Sequence, residues 1–468
     1  GIGNMLGGWW AYRVLGWGGY WGWDPVENSA IMPWFAGTAF LHSIMIQEKR
    51  GMLRMWNMAL IVLTFSLTIL GTFVTRSGII ESVHAFASTN VGIVFLTFLT
   101  LVIAVSVGLI WWRSDLLTTE NRLESFVSRE SAFLFNNLLL LGIAFAIWWG
   151  TFFPILSEAA TGQRISVGPP FFNQVNGPLS LALLLMTGIG PVIAWRRASK
   201  RNLQRNFRVP LVVLLAAGVI AVLLGLRAWY AVAVVAFGAF VAATVVQEMW
   251  RGTRARRASS REPAPAALVA LVRRNRRRYG GYLVHLGMAV IFVGVAASSA
   301  FQRVLDVRLS PGHTTRIAGY DVRYVRATSA LSNEKVTLGA ILRVSKNGQH
   351  VATLAPTRGY YAAVDPGLGP VGRYFEGEAT SEVGLSAGVR RDIWTAVQSD
   401  IGALQRMIDG LDRRFPLATG RSQGLLLAAL AARYEVAPPP ASFRLIVSPL
   451  VEWIWLGGAI AGFGGLIA

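Results

Sequence analysis

The sequence predicts an all-α polytopic membrane protein that carries an inserted, outward-facing β-rich domain with some helix. Three observations predict it. Hydrophobic residues make up 53% of the 468-residue chain and charged ones only 15%, with a mean hydropathy of +0.48, more apolar surface than a soluble chain can cover. Apolar windows of about 17–25 residues, long enough to cross a bilayer, recur along it. Between Phe301 and Ser442 that pattern stops, and polar and apolar positions alternate around glycine turns instead.

Nine or more spans are expected, at 30–46, 56–75, 91–112, 132–155, 178–195, 209–226, 229–248, 281–300 and 446–468, with 1–12 as the tail of an earlier helix. The chain starts at Gly1 without methionine and stops inside an apolar run, so a fragment lacking both termini is expected. Three domains follow: a helical core over 1–300 holding the Trp-rich segment 16–28, a β-rich domain over 301–442, and a final span over 443–468. The net charge of +20 would suggest nucleic acid in a soluble protein. Here the basic residues sit in alternate loops, "QEKRGMLR", "RRASKRNLQRNFR", "RGTRARRASSREP" and "RRNRRRYGG", where they act as orientation signals. The inner loop Arg113–Glu130 mixes arginines with acids and fits this rule least well. The Trp-rich segment and Phe301–Ser442 fall on the outer side.

Within the outer domain, "LDVRLSPGHTTRIAGYDVRYVRA" and "VTLGAILRVSKNGQHVATLAP" read as β-hairpins. "RRDIWTAVQSDIGALQRMIDGLDRRF" has helical spacing. "GLGPVG" at Gly367–Gly372 fits a dinucleotide-loop pattern but has neither the strand nor the helix that such a loop needs. The absence of cysteine excludes disulfides, thiolate metal sites and attachment of a c-type haem to this chain itself.

The chemistry gathers around few residues. "DPVE" reads as a helix start, with Asp24 as N-cap, Pro25 in the first turn and Glu27 closing a capping box. His42 and His285 lie inside apolar helices, where an ionisable side chain is a functional candidate; a lone one can equally hydrogen-bond a neighbouring helix. His42 lies about 26 Å along a helix from Pro25, and His285 roughly 9–10 Å in from a basic loop at ~1.5 Å per residue. These counts give similar depths, and two imidazoles at one level suit the axial positions of a haem iron. His84 lies in an outer loop, on the side of Trp17, Trp21 and Trp23. There the rings can stack on a porphyrin and the interleaved glycines let it approach the backbone. Arg13 and Arg76 can pair with propionates or act as membrane anchors. His313 and His350 read as structural or exposed.

At this point the residues resemble a known family. "WGGYWGWDPVEN" looks like the WWD signature of haem-handling proteins of cytochrome c maturation. "AGTAFLHS", "LGTFVTRSGIIESVHAFAS", "SRESAFLFNN", "ISVGPPFFN", "YGGYLVHLG" and "SPLVEWIWLGG" extend the resemblance to the CcmF family of cytochrome c haem lyase subunits. The resemblance implies that His42 and His285 hold a transmembrane b-type haem. It implies that His84 is a ligand for a second haem, the substrate, beside Trp17, Trp21, Trp23 and Asp24, with Arg76 nearby. A second outer histidine of the family is expected upstream of Gly1. The implied reaction joins haem vinyl groups to the thiols of an apocytochrome Cys-x-x-Cys-His, with a quinol as a candidate reductant of the b-haem. A haem carrier protein, apocytochrome c and thiol-reducing proteins are the implied partners, and the bacterial inner membrane, with the site facing the periplasm, the implied location. Residues 397–434 match the family poorly and have no assigned role. A haem transporter and a non-catalytic assembly scaffold remain open as rival readings.

Overall fold

The computed structural model describes residues 1–80, 91–119, 121, 123–332, 334–365 and 367–468. The chain forms two compact units, one of Gly1–Met5, Trp21–Val293 and Leu456–Ala468, the other of Leu6–Tyr20 and Gly294–Trp455. Its helices are α1 Ile2–Val14, α2 Pro25–Arg50, α3 Arg54–Ser77, α4 Val91–Trp112, α5 Arg129–Thr161, α6 Pro169–Ile189, α7 Lys200–Leu223, α8 Trp229–Ser260, α9 Ala264–Arg274, α10 Arg276–Phe301, α11 Gly372–Phe375, α12 Gln405–Arg414, α13 Gly420–Val436 and α14 Val451–Ile467. Among the described residues seven helices, α2–α5, α7, α8 and α10, are long and apolar enough to cross a membrane.

In the first unit α2 packs on α3 and α5, α5 on α6, α6 on α8, and α8 on α7 and α9. The α10–α14 seam is made by glycine: a Cβ on Gly287 would meet Gly457 O at 2.5 Å, and one on Gly280 would meet Gly464 O at 2.6 Å. Small residues of this kind let helix backbones approach closely in lipid. At the basic helix ends the cations are paired. Arg50 bonds Glu124 (2.5 Å) and lies 3.2 Å from Glu130, Arg277 lies 3.2 Å from Glu48, and Arg278 lies 2.6 Å from Glu248. Two of the acids in the anomalous loop Arg113–Glu130, Glu124 and Glu130, are therefore partners of the arginine that ends α2.

Two spans differ from their expected limits. The span expected at 178–195 is a helix over Pro169–Ile189, because Pro169 and Pro170 start it before the polar "NQVN" turn and 190–195 is no longer helical. The span expected at 446–468 begins only at Val451, since Ala441–Pro449 is a strand. Its Phe443, Leu445, Ile446 and Val447 are apolar because they fill a β core.

The second unit contains the strands β1 Arg303–Leu309, β2 Thr314–Ile317, β3 Tyr320–Leu331, β4 Lys335–Lys346, β5 Gln349–Leu354, β6 Thr357–Tyr361, β7 Ala379–Glu382, β8 Gly384–Ser386, β9 Arg391–Ser399 and β10 Ala441–Pro449. They form antiparallel sheets in the orders β1-β10-β9-β8 and β2-β3-β4-β6-β7, with β5 also on β4. The hairpins β2–β3 and β4–β5 turn on Ala318–Gly319 and Asn347–Gly348, with φ of 50°, 79°, 51° and 79°. Two successive positive φ values match the twist of the flanking strands. β1 pairs with β10, Val304 facing Ile446.

The expected helix over Arg390–Phe415 is also corrected. Its first half is β9, with Ile393, Trp394, Thr395, Ala396 and Val397 all buried. A central strand buried on both faces has no period of two, so its apolar run is easily mistaken for a helix. The unassigned stretch 397–434 covers the sheets: Leu404, Ile408, Leu427, Leu430 and Tyr434 join the β core. The Tyr434 hydroxyl lies 2.8 Å from Ser399 Oγ and donates to Gly339 O (3.3 Å). "GLGPVG" is a loop whose Val371 and Gly372 amides donate to Asp412 (2.7 and 2.9 Å), so those donors serve the fold.

Candidate haem site

The two intramembrane histidines meet. His42 on α2 and His285 on α10 have ring centres 6.2 Å apart and planes 11° from parallel. At ~1.5 Å per residue, each lies roughly 12–14 Å from the basic end of its helix. His42 Nδ1 donates to Thr38 O (2.8 Å), which leaves the Nε2 lone pair free of that bond. His285 Nδ1 is buried and has no hydrogen-bond partner among the described residues. Phe133 stands edge-on to His42 at 5.8 Å, and Trp195 edge-on to Phe133 at 6.0 Å, walling the pair with aromatic carbon.

The residues fit a haem. A metal–imidazole bond of about 2.0–2.1 Å, plus about 1.1 Å from nitrogen to ring centre, puts two imidazoles across one ion roughly 6 Å apart. The unsatisfied Nδ1 of His285 is the kind of orphaned buried group that calls for a partner. Among the described residues no three His, Asp or Glu side chains gather to hold an ion. Two nitrogen donors in an apolar setting suit a haem iron rather than a hard cation.

The Trp-rich segment is built differently. Asp24 caps α2 as expected: its carboxylate accepts from Val26 N (3.0 Å), Pro25 opens the helix, and Glu27 Oε2 accepts from Asp24 N (3.3 Å) and Gly22 N (2.8 Å). Trp23 has φ of 57°, rare for a bulky residue. It is held there by Asn28, which donates to its carbonyl (3.1 Å), by Asn173, which accepts from its indole (2.9 Å), and by Phe172, stacked at 5.0 Å and 10°. Trp21 stands edge-on to Trp23 at 5.9 Å. Trp17 belongs to the second unit and is exposed.

The glycines correct the expectation that bare backbone waits for a porphyrin. A Cβ on Gly19 would sit 1.9 Å from the Trp17 ring, one on Gly18 2.2 Å from Ile446, and one on Gly16 2.5 Å from Ser381. Gly18 also has φ of 82°. These three positions are glycine because side chains of the same unit already fill the space. Arg13 lies over the Trp9 ring at 4.7 Å and 3.5 Å from Glu452, so it is engaged within the protein. Arg76 is exposed in the last turn of α3. His313 and His350 are exposed in the β unit. His84 lies outside the described residues.

Comparison with known proteins bears on these residues. A family model described as "Cytochrome C assembly protein" matches residues 1–84. The chain is 34% identical to the cytochrome c-type biogenesis protein CcmF of Pseudomonas aeruginosa, over all of this chain and 63% of that protein. It is 32% identical to CcmF of Haemophilus influenzae, again over all of this chain and 64% of the relative, and 29% identical to CcmF of Escherichia coli. A solved structure titled "Cytochrome c Heme Lyase CcmF" superposes on 99% of this chain with a TM-score of 0.72 at 27% identity. The chain is thus similar along its whole length to proteins of the CcmF family. It spans about 63% of the length of the curated relatives it matches.

Sequence reading missed Thr38, Phe133, Phe172 and Asn173. Thr38 was within reach, since it precedes His42 by one helical turn and its carbonyl meets that side chain. Phe133, Phe172 and Asn173 lie in the blocks "SRESAFLFNN" and "ISVGPPFFN", but they approach the site from other helices, so nothing local assigned them to it.

Proposed function

We propose that this chain carries the haem-handling core of a cytochrome c haem lyase, in a multi-pass protein of the bacterial inner membrane whose attachment site faces the periplasm. The observation that carries this reading is the His42–His285 pair, 6.2 Å apart and near-parallel, in a chain similar along its whole length to proteins named for cytochrome c biogenesis. His42 and His285 hold the iron of a b-type haem, Thr38 O fixes the His42 ring, and Phe133 helps to keep water away. Such a haem supplies one-electron chemistry in the membrane, with a quinol as the donor class.

At the outer site haem is substrate. Trp21 and Trp23, with Trp17, orient the ring edge, His84 ligates the iron, Arg76 meets a propionate, and the Asp24 cap fixes where the segment leaves α2. The thiols of an apocytochrome Cys-x-x-Cys-His add across the two vinyl groups, forming thioethers with no atom lost. The chain contributes placement rather than a thiol, since it has no cysteine. A haem carrier delivers substrate, and other proteins keep the apocytochrome reduced.

Absorption spectra of the purified protein test the reading. Low-spin bis-imidazole haem should survive purification and vanish in His42→Ala and in His285→Ala. A colourless, folded wild-type protein overturns the buried site. His84→Ala should abolish holocytochrome c formation while that spectrum persists; normal maturation in this variant overturns the outer one.

A further inference from the structure

A second group of unsatisfied polar atoms lies in the β-containing unit and shares no residue with the histidine pair. Among the described residues, Tyr12 Oη, Arg13 Nε, Asp392 Oδ2, Glu452 Oε1 and Trp455 Nε1 are all enclosed and lack a hydrogen-bond partner. They come from α1, the start of β9 and the start of α14. These elements are locked together around them. Trp394 Nε1 donates to Tyr12 O (2.9 Å), Trp453 Nε1 donates to Val389 O (3.0 Å), and the Tyr12 ring lies 6.5 Å from that of Trp455. Asp392 is fully buried, and its Oδ1 accepts from Gly388 N (2.9 Å). Ser448, opposite Asp392 on β10, bonds to Gln302 instead.

The five atoms balance. Arg13 Nε and Trp455 Nε1 only donate, the two carboxylate oxygens accept, and the tyrosine hydroxyl does both. Arg13 and Glu452 stand 3.5 Å apart, beyond a good direct bond. Buried water typically closes such sets, making about three bonds each. The Arg13 guanidinium beside Glu452 disfavours a metal cation.

We propose that Tyr12, Arg13, Asp392, Glu452 and Trp455 enclose a cluster of ordered water and together hold an exchangeable proton. Burial pushes Asp392 up to about 6; Glu452 adds to the rise, and the Gly388 amide, Tyr12 and Arg13 oppose it. A carboxyl whose folded-state pKa is raised stabilises the fold most at acidic pH, and that contribution is lost as pH rises through about 6. The site therefore loses its proton at a pH where an ordinary aspartate has long been ionised.

Infrared difference spectra of the full chain in nanodiscs between pH 5 and pH 8 test this. A protonated-carboxyl band should disappear with a midpoint near 6, and Asp392→Asn should remove it. Tyr12→Phe keeps the ring packing but deletes a hydroxyl that favours the carboxylate, so it should move the midpoint upward. Should Asp392→Asn fail to fold, the wild-type titration and the Tyr12→Phe shift decide. Absence of any carboxyl band titrating between pH 5 and 7 overturns the proposal, as does a band that neither variant alters.

Discussion

The histidine pair and the Trp–Gly segment are both candidate haem contacts, yet they are built on opposite principles. His42 and His285 come from helices far apart in sequence, and the protein leaves His285 Nδ1 without a partner. Around Trp23 and the glycines beside Trp17 the space is largely used already. Phe172 covers one Trp23 face, Asn173 and Asn28 bind its polar atoms, and Gly16, Gly18 and Gly19 are glycine because Ser381, Ile446 and Trp17 occupy their space. Unsatisfied polar atoms point to a ligand, whereas filled space and satisfied atoms point to architecture. The Trp–Gly alternation is in large part architecture that presents a few exposed ring edges.

Substitutions can break or sharpen this contrast. The largest effect is expected at the histidines, where either alanine variant should lose the bound-haem spectrum entirely while keeping its helical circular dichroism. Next, Gly18→Val places a branched side chain against Ile446 at φ of 82°. It should cost about 2–4 kcal/mol by combined overpacking and backbone strain, measured by thermal unfolding, with the histidine-pair spectrum intact. A stable Gly18→Val protein would return the segment to the ligand-binding class. Asp24→Ala removes the α2 cap and should cost about 1 kcal/mol. Asp24→Asn keeps the cap, so a maturation defect in that variant alone assigns Asp24 a role beyond it. The smallest effect is expected for Trp23→Phe, which retains the stack on Phe172 and loses the bond to Asn173. That bond is worth roughly 0.5–1.5 kcal/mol, and holocytochrome c yield should change less than in Trp21→Ala.

Much of this was legible in the sequence because it is written in local patterns. The Asp24–Pro25–Glu27 start of α2 follows from capping chemistry that needs only neighbouring residues. The Asn347–Gly348 hairpin and the paired depths of His42 and His285 follow from turn preference and the constant rise of a helix. The misreadings at β9 and β10 share one cause. β9 and the last half of β10 are buried on both faces, so "DIWTAVQS" resembled a helix and 446–450 resembled the start of a membrane span. Burial inside a sheet core and burial in lipid favour the same residues, and no local period separates them.

By itself the sequence determined that apolar helices dominate, where most of them run, that a β-rich segment interrupts them, and which two histidines lie within them. Those outcomes depend on interactions within about one helical turn or one hairpin. Only the tertiary structure decided that His42 and His285 stand ring to ring, that the space at Gly16, Gly18 and Gly19 is filled by their own unit, and that Tyr12, Arg13, Asp392, Glu452 and Trp455 each enclose an unsatisfied polar atom in one unit. Each of these joins residues tens to hundreds of positions apart, and such contacts form only when separate elements pack.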